Sequence, residues 1–143
     1  VDIEDSINAI IQASRNENIL INCSRTIFPM EKDAMRWANY IGNRCFAILL
    51  SIIINNPVSD ALCGTKVFSR KFFNFMKDNG SWESSLDPFG DFTVIFEAAK
   101  NDIRILNYPV RYYARKSGAP NISRWIDGLK LLKVCWVYLI SDI

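Results

Sequence analysis

Apolar positions along the chain shift between a spacing near 3.6 and a spacing near 2, and these shifts mark out helices and strands in turn. Asp2 can cap a helix whose Ile3, Ile7, Ile10 and Ile11 fall on one face, and Asn16-Glu17-Asn18 ends it. The run Ile19-Leu20-Ile21-Asn22-Cys23 reads as a buried strand. After a loop at Pro29, Asp33 can cap a long helix through Trp37, Tyr40 and Ile41 into the apolar run from Phe46 to Ile54, which Asn55-Asn56-Pro57 stops. Val58 to Phe68 is strand-like but broken by Gly64, and Ser69 then caps a short helix through Phe72, Phe73 and Met76 to Gly80. Beyond a loop from Ser81 to Gly90, Asp91 can cap a helix running to Asn101. Ile103 to Tyr113 alternates as a strand whose Pro109 favours an edge or a bulge, and a Gly-Ala-Pro loop leads to a last helix from Ser123. Alternating helices and strands predict an α/β fold with helices packed on a sheet.

Composition narrows the chemistry. At 143 residues, half of them hydrophobic, the chain is one domain's worth and can bury a core. It has no histidine, which excludes Ser-His-Asp, Cys-His and His-zinc mechanisms within this chain. Cys23, Cys45, Cys63 and Cys135 form no C-x-x-C pair and read as reduced core thiols of a cytoplasmic protein. Seventeen basic against fifteen acidic residues leave a net charge of +2, too small to argue for nucleic acid. The longest apolar run is far short of the ~20 residues that cross a bilayer.

Five segments then stand out together: Cys23-Ser24-Arg25 with Phe28-Pro29-Met30-Glu31; Ala34-Met35-Arg36 leading to Asn39 and Gly42-Asn43; Ser59 to Phe68, reading SDALCGTKVF; Pro88-Phe89-Gly90-Asp91-Phe92; and Tyr108 to Tyr112 with Ala114-Arg115, Gly118 and Asn121 to Trp125. In order and spacing they resemble bacterial family 2 glycosyltransferases, the group that includes polyprenol-phosphate sugar transferases. The resemblance implies the C-terminal, acceptor-side part of a GT-A (Rossmann-like) domain over residues 1–143, with a mixed sheet flanked by helices. It places the nucleotide-binding half, with the Asp-x-Asp motif that holds Mg or Mn on the donor diphosphate, upstream of this chain. Asp2-Ile3-Glu4-Asp5 aligns just after that motif, and its carboxylates suit the first turn of a helix. The implied partners are a nucleotide-sugar donor and a sugar or lipid-phosphate acceptor; the implied place is the cytoplasm, at the inner face of the cell membrane. By itself the chain is not expected to transfer sugar. The alternative is a non-catalytic remnant or binding module that kept the fold.

Inverting transfer needs a carboxylate to take the acceptor's proton or to orient a phosphate acceptor. The resemblance points to Asp91 for that role, with Asp87 as the alternate because Thr93 stands where some relatives carry a second acid. Asp91 also reads as a helix N-cap. Asp60 lies beneath the acceptor region in the family and also reads as a structural residue anchoring the turn after Pro57. Arg25 follows the first strand, where carboxyl ends of parallel strands face a ligand crevice. Arg115, Asn121, Arg124 and Trp125 match the loop that closes over the donor diphosphate, where a guanidinium can pair with phosphate and an aromatic ring can stack; an amphipathic helix with Arg124 in solvent is the competing reading. The final helix, with Leu129, Leu131, Leu132, Val134, Trp136, Val137 and Leu139 around Lys130 and Lys133, can pack on the sheet or lie at an anionic membrane surface.

Overall fold

The computed structural model describes residues 1–82, 86–114 and 124–141, with the side chains of 124, 125 and 141 left aside. Its elements are α1 (Ile3–Ser14), β1 (Ile19–Ser24), α2 (Trp37–Ile53), β2 (Lys66–Val67), α3 (Arg70–Asp78), α4 (Asp91–Lys100), β3 (Arg104–Pro109) and α5 (Arg124–Ser141). The three strands form one mixed sheet in the order β2-β1-β3. β1 pairs parallel with β3, Ile19 opposite Arg104 through Ser24 opposite Pro109, and antiparallel with the two residues of β2. The chain is therefore mixed α/β, as its periodicity predicts, and β3 is an edge strand that tolerates Pro109.

All of β1 is buried, and its side chains alternate between two cores. Leu20 points into the larger one, shared with Ala47 and Leu50 of α2, Phe72 and Met76 of α3, Phe92 and Ile95 of α4 and Leu131 of α5. Ile19, Ile21 and Cys23 point into a smaller one with Ala9, Cys63 and Val110. Aromatic contacts lock the larger core: Phe46 meets Phe92 edge-on at 5.5 Å, and Phe96 stacks on Tyr138 at 3.9 Å.

Three expectations need correcting, and a fourth holds with a twist: the isoleucines of α1 share one face, but that face is outward, with Ile3 77% exposed and Ile7, Ile10 and Ile11 about half exposed, whereas Asp5 and Ala9 are buried. The cause is an ion pair. Asp5 accepts from the Arg111 backbone (2.7 Å) and guanidinium (3.0 Å) just past β3, which turns the Asp5 face of the helix inward. Asp33 does not cap α2; it sits in a left-handed turn at φ 64°, and Arg36 holds the cap position without a side-chain bond. Only Lys66 and Val67 of the 58–68 stretch are strand, because the amides of Ala61 and Leu62 donate to side chains rather than to a neighbouring strand. Cys45 is not a core thiol but lies exposed on α2, while Cys23, Cys63 and Cys135 are buried. Burial raises the last three thiols, Cys23 to about 12 and Cys135 to about 11, so they stay protonated and unreactive.

The caps at Asp2 and Ser69 form as expected, accepting from Asp5 N and Phe72 N. Among the described residues no helix is long and apolar enough to cross a membrane.

Candidate functional site

A cavity of about 440 Å³ opens where β1 and β3 end. Its wall includes Arg25 after β1, Cys63, Gly64 and Thr65 before β2, and Tyr112 and Tyr113 after β3. Carboxyl ends of parallel strands are the usual ligand crevice of α/β sheets.

One wall of this cavity is pinned by Asp60, which is fully buried. Its Oδ2 accepts from the Arg25 amide (3.0 Å) and Nε (2.8 Å), and its Oδ1 from Arg25 Nη2 (2.9 Å), Asn43 Nδ2 (2.8 Å) and the Leu62 amide (3.2 Å). Burial pushes this carboxyl's pKa up, but the Arg25 hydrogen bonds and charge outweigh it and hold the group below its usual value near 3.8. Burial likewise works against the Arg25 guanidinium, and Asp60 more than restores its charge. Asn43 completes the knot: its Oδ1 accepts from the amides of Ala61 (2.9 Å) and Leu62 (3.0 Å). Arg25 also lies 5.2 Å from the Tyr112 ring centre, so two of its nitrogens serve Asp60 and its flat face serves Tyr112. Nη1 alone takes no hydrogen bond among the described residues and can meet a ligand. Arg25 and Asp60, predicted separately as binding residues, are thus a single bidentate pair.

The second anchor is Lys66. Its ammonium, on a side chain only 4% exposed, donates to the Cys63 carbonyl (2.6 Å) and to Asp91 Oδ1 (2.7 Å). Asp91 is thereby tied to the Cys63-Gly64-Thr65 wall of the cavity. It does not cap α4, contrary to one expectation; it is the first helical residue, and Gly90 occupies the cap position at φ 74°. Any side chain at Gly90 would meet Trp82 at 3.2 Å as well as the left-handed backbone. The cap is supplied by Asp87, whose Oδ2 accepts from the amides of Phe92 (2.7 Å) and Thr93 (3.0 Å) while Oδ1 accepts from Phe89 N (3.0 Å). The two acids therefore divide the work: Asp87 is filled by backbone donors, and Asp91 keeps Oδ2 clear of hydrogen bonds among the described residues.

Arg115 and Asn121 lie outside the described residues; Arg124 and Trp125 begin α5, but their side chains lie outside them too. Sequence reasoning passed over Asn43 and Lys66 as site residues. Asn43 carried a signal, a polar residue on the inward stripe with Ala47 and Leu50; Lys66 carried none, since a lysine beside a strand normally reads as surface.

Among the described residues no group of three or more acids or cysteines converges as metal ligands. Comparisons with protein-family models, curated proteins and solved structures gave no match to this chain.

Proposed function

We propose that this chain is the acceptor-side part of an inverting family 2 glycosyltransferase of the GT-A fold, acting on a nucleotide-sugar donor and a sugar or lipid-phosphate acceptor. The observation that carries the reading is the link between the crevice at the ends of β1 and β3 and a partly engaged carboxylate, Asp91, through Lys66. In this reading the acceptor oxygen attacks the anomeric carbon, its proton passes to Asp91 Oδ2, and the nucleoside diphosphate leaves with the electrons of the broken C–O bond. An acceptor that is already an ionised phosphate has no proton to give, and Asp91 then orients it. Asp87 is assigned to structure because its Oδ2 is occupied by two α4 amides and its Oδ1 by the Phe89 amide. Arg25, through Nη1, faces the anionic reactants, and Arg115, Asn121, Arg124 and Trp125 are proposed to close on the donor diphosphate. The metal on that diphosphate would be held by residues outside this chain.

Contact with an anionic membrane surface belongs to the same reading. α5 buries Leu131, Val134 and Cys135 against the core and leaves Leu129, Leu132, Trp136, Val137 and Ile140 at 46–68% exposure beside the exposed Lys130 and Lys133. An apolar stripe edged with lysines suits the headgroup boundary.

In a longer protein that carries the sugar-nucleotide half, Asp91→Asn should lower turnover by about 10²–10⁴ with donor affinity nearly unchanged. A larger loss from Asp87→Asn, with Asp91→Asn near the parent, would reassign the base. Absence of both donor binding and turnover in that protein would favour the non-catalytic module.

A further inference from the structure

A second cavity, about 630 Å³, lies on the other side of the segment that walls the first. The stretch from Pro57 to Ser59 borders it, and the stretch from Leu62 to Thr65 borders the first, with Asp60 knotted between them. Its remaining wall is the C-terminal half of α2, from Arg44 to Ile52, with Asn55 just beyond that helix and Asn107 of β3. None of these residues takes part in the chemistry proposed above.

The wall has two chemically distinct parts. Ile48 and Ile52 are 51% and 73% exposed and, with Val58, supply apolar surface of the kind ligand cavities use for an alkyl body. The polar part is fixed in advance. Asn107 donates to the Pro57 carbonyl (2.7 Å) and accepts from the Ser59 amide (3.0 Å), and the Ser59 carbonyl accepts from Thr26 (3.0 Å), so Ser59 is held from both ends of its backbone. Its hydroxyl is nevertheless buried without a hydrogen-bond partner among the described residues. A buried hydroxyl left unmatched is unfavourable, and a turn about the Ser59 Cα–Cβ bond that brings it to an acceptor atom in the cavity would satisfy it. The second polar group is Arg44, an exposed guanidinium that makes no ion pair or hydrogen bond among the described residues. A planar cationic fork and an unused hydroxyl beside isoleucine walls select a negatively charged head on an apolar chain.

We propose that this cavity binds an amphipathic oxyanion, a carboxylate or phosphate monoester on a short alkyl chain, with Arg44 holding the head. The site is separate from the crevice at the strand ends and does not depend on the transferase reading.

Calorimetric titration of this chain with octanoate, octyl phosphate below its micelle concentration, inorganic phosphate and octanol tests it. Octanoate or octyl phosphate should saturate one site at least about tenfold more tightly than inorganic phosphate or octanol, and the tighter of the two identifies the head. Arg44→Ala should weaken that binding by about tenfold or more, with Arg44→Lys recovering only part, and Ser59→Ala should weaken it by roughly three- to tenfold. Tyr113→Ala, in the first cavity, should leave it unchanged. Arg44 is exposed on a helix, so its variants keep the test open even where Ser59→Ala does not fold. The proposal is overturned by failure to saturate, by inorganic phosphate binding equally well (an adventitious ion only), by octanol binding equally well, by Arg44→Ala binding like the parent, or by Tyr113→Ala weakening binding as much as Arg44→Ala.

Discussion

Two buried carboxylates, Asp60 and Asp91, each hold a cation beside the same crevice, yet they are built to different ends. Asp60 accepts five hydrogen bonds, from a bidentate arginine, an asparagine and two backbone amides, and is sealed from solvent. Among the described residues Asp91 accepts one, from a lysine, with a side chain 11% exposed. A saturated carboxylate has no lone pair left for a substrate, and its removal strands every donor around it. A carboxylate engaged on one oxygen is held in place while the other stays available. Asp60 is thus the keystone of the site, and Asp91 the carboxylate to which the proposed reading gives its chemistry.

The largest effect expected from that contrast is on folding. Asp60→Ala leaves the Arg25 charge and the Asn43 amide buried without a partner and should lower stability by about 3–5 kcal/mol, read from urea unfolding. A loss under about 1 kcal/mol would mean that Arg25 finds water or another partner and that the knot is ornamental. A smaller loss separates Asp87 from Asp91. Asp87→Ala removes the acceptor for the first amides of α4 and should cost about 1–2 kcal/mol, whereas Asp87→Asn, which can still accept, should cost only a fraction of that. Equal losses for Ala and Asn would show that the carboxylate's charge, not the cap, matters at that position.

The smallest effect is electrostatic. Because Arg25 holds the Asp60 carboxyl below 3.8 against the pull of burial, its contribution to stability is complete above that pH. It is lost as pH falls through the lower folded-state value. The Asp60 carboxyl carbon, followed by NMR, should therefore titrate below 3.8, and a midpoint at or above 3.8 would break the assignment.

Residue by residue, the parts that were legible in the sequence are those set by local physics. Asp2 and Ser69 stand one residue before an amphipathic run and cap it, and β1 is an unbroken apolar stretch that could only be interior. What escaped was decided by partners far along the chain. The isoleucines of α1 look like a buried face until Asp5 is seen to reach Arg111, 106 residues away. Asp91 looks like the cap of α4 until the Pro88-Phe89-Gly90 turn folds Asp87 back onto Phe92, beyond the usual capping distance. The Val58 to Phe68 stretch has strand composition, but Asn43, on a helix, claims its amides.

The parallel pairing of β1 with β3 carries a consequence for how the protein is made. Asn22 meets Asn107 from 85 residues earlier in the chain. At roughly 5–20 residues per second, a ribosome takes on the order of 4 to 17 seconds to deliver that partner. For about the first half of that interval β1 has no strand to pair with, and for the second half it has only β2, opposite Ile21 and Asn22. Its bare edge during synthesis is a place for a chaperone to bind or for neighbouring nascent chains to stick.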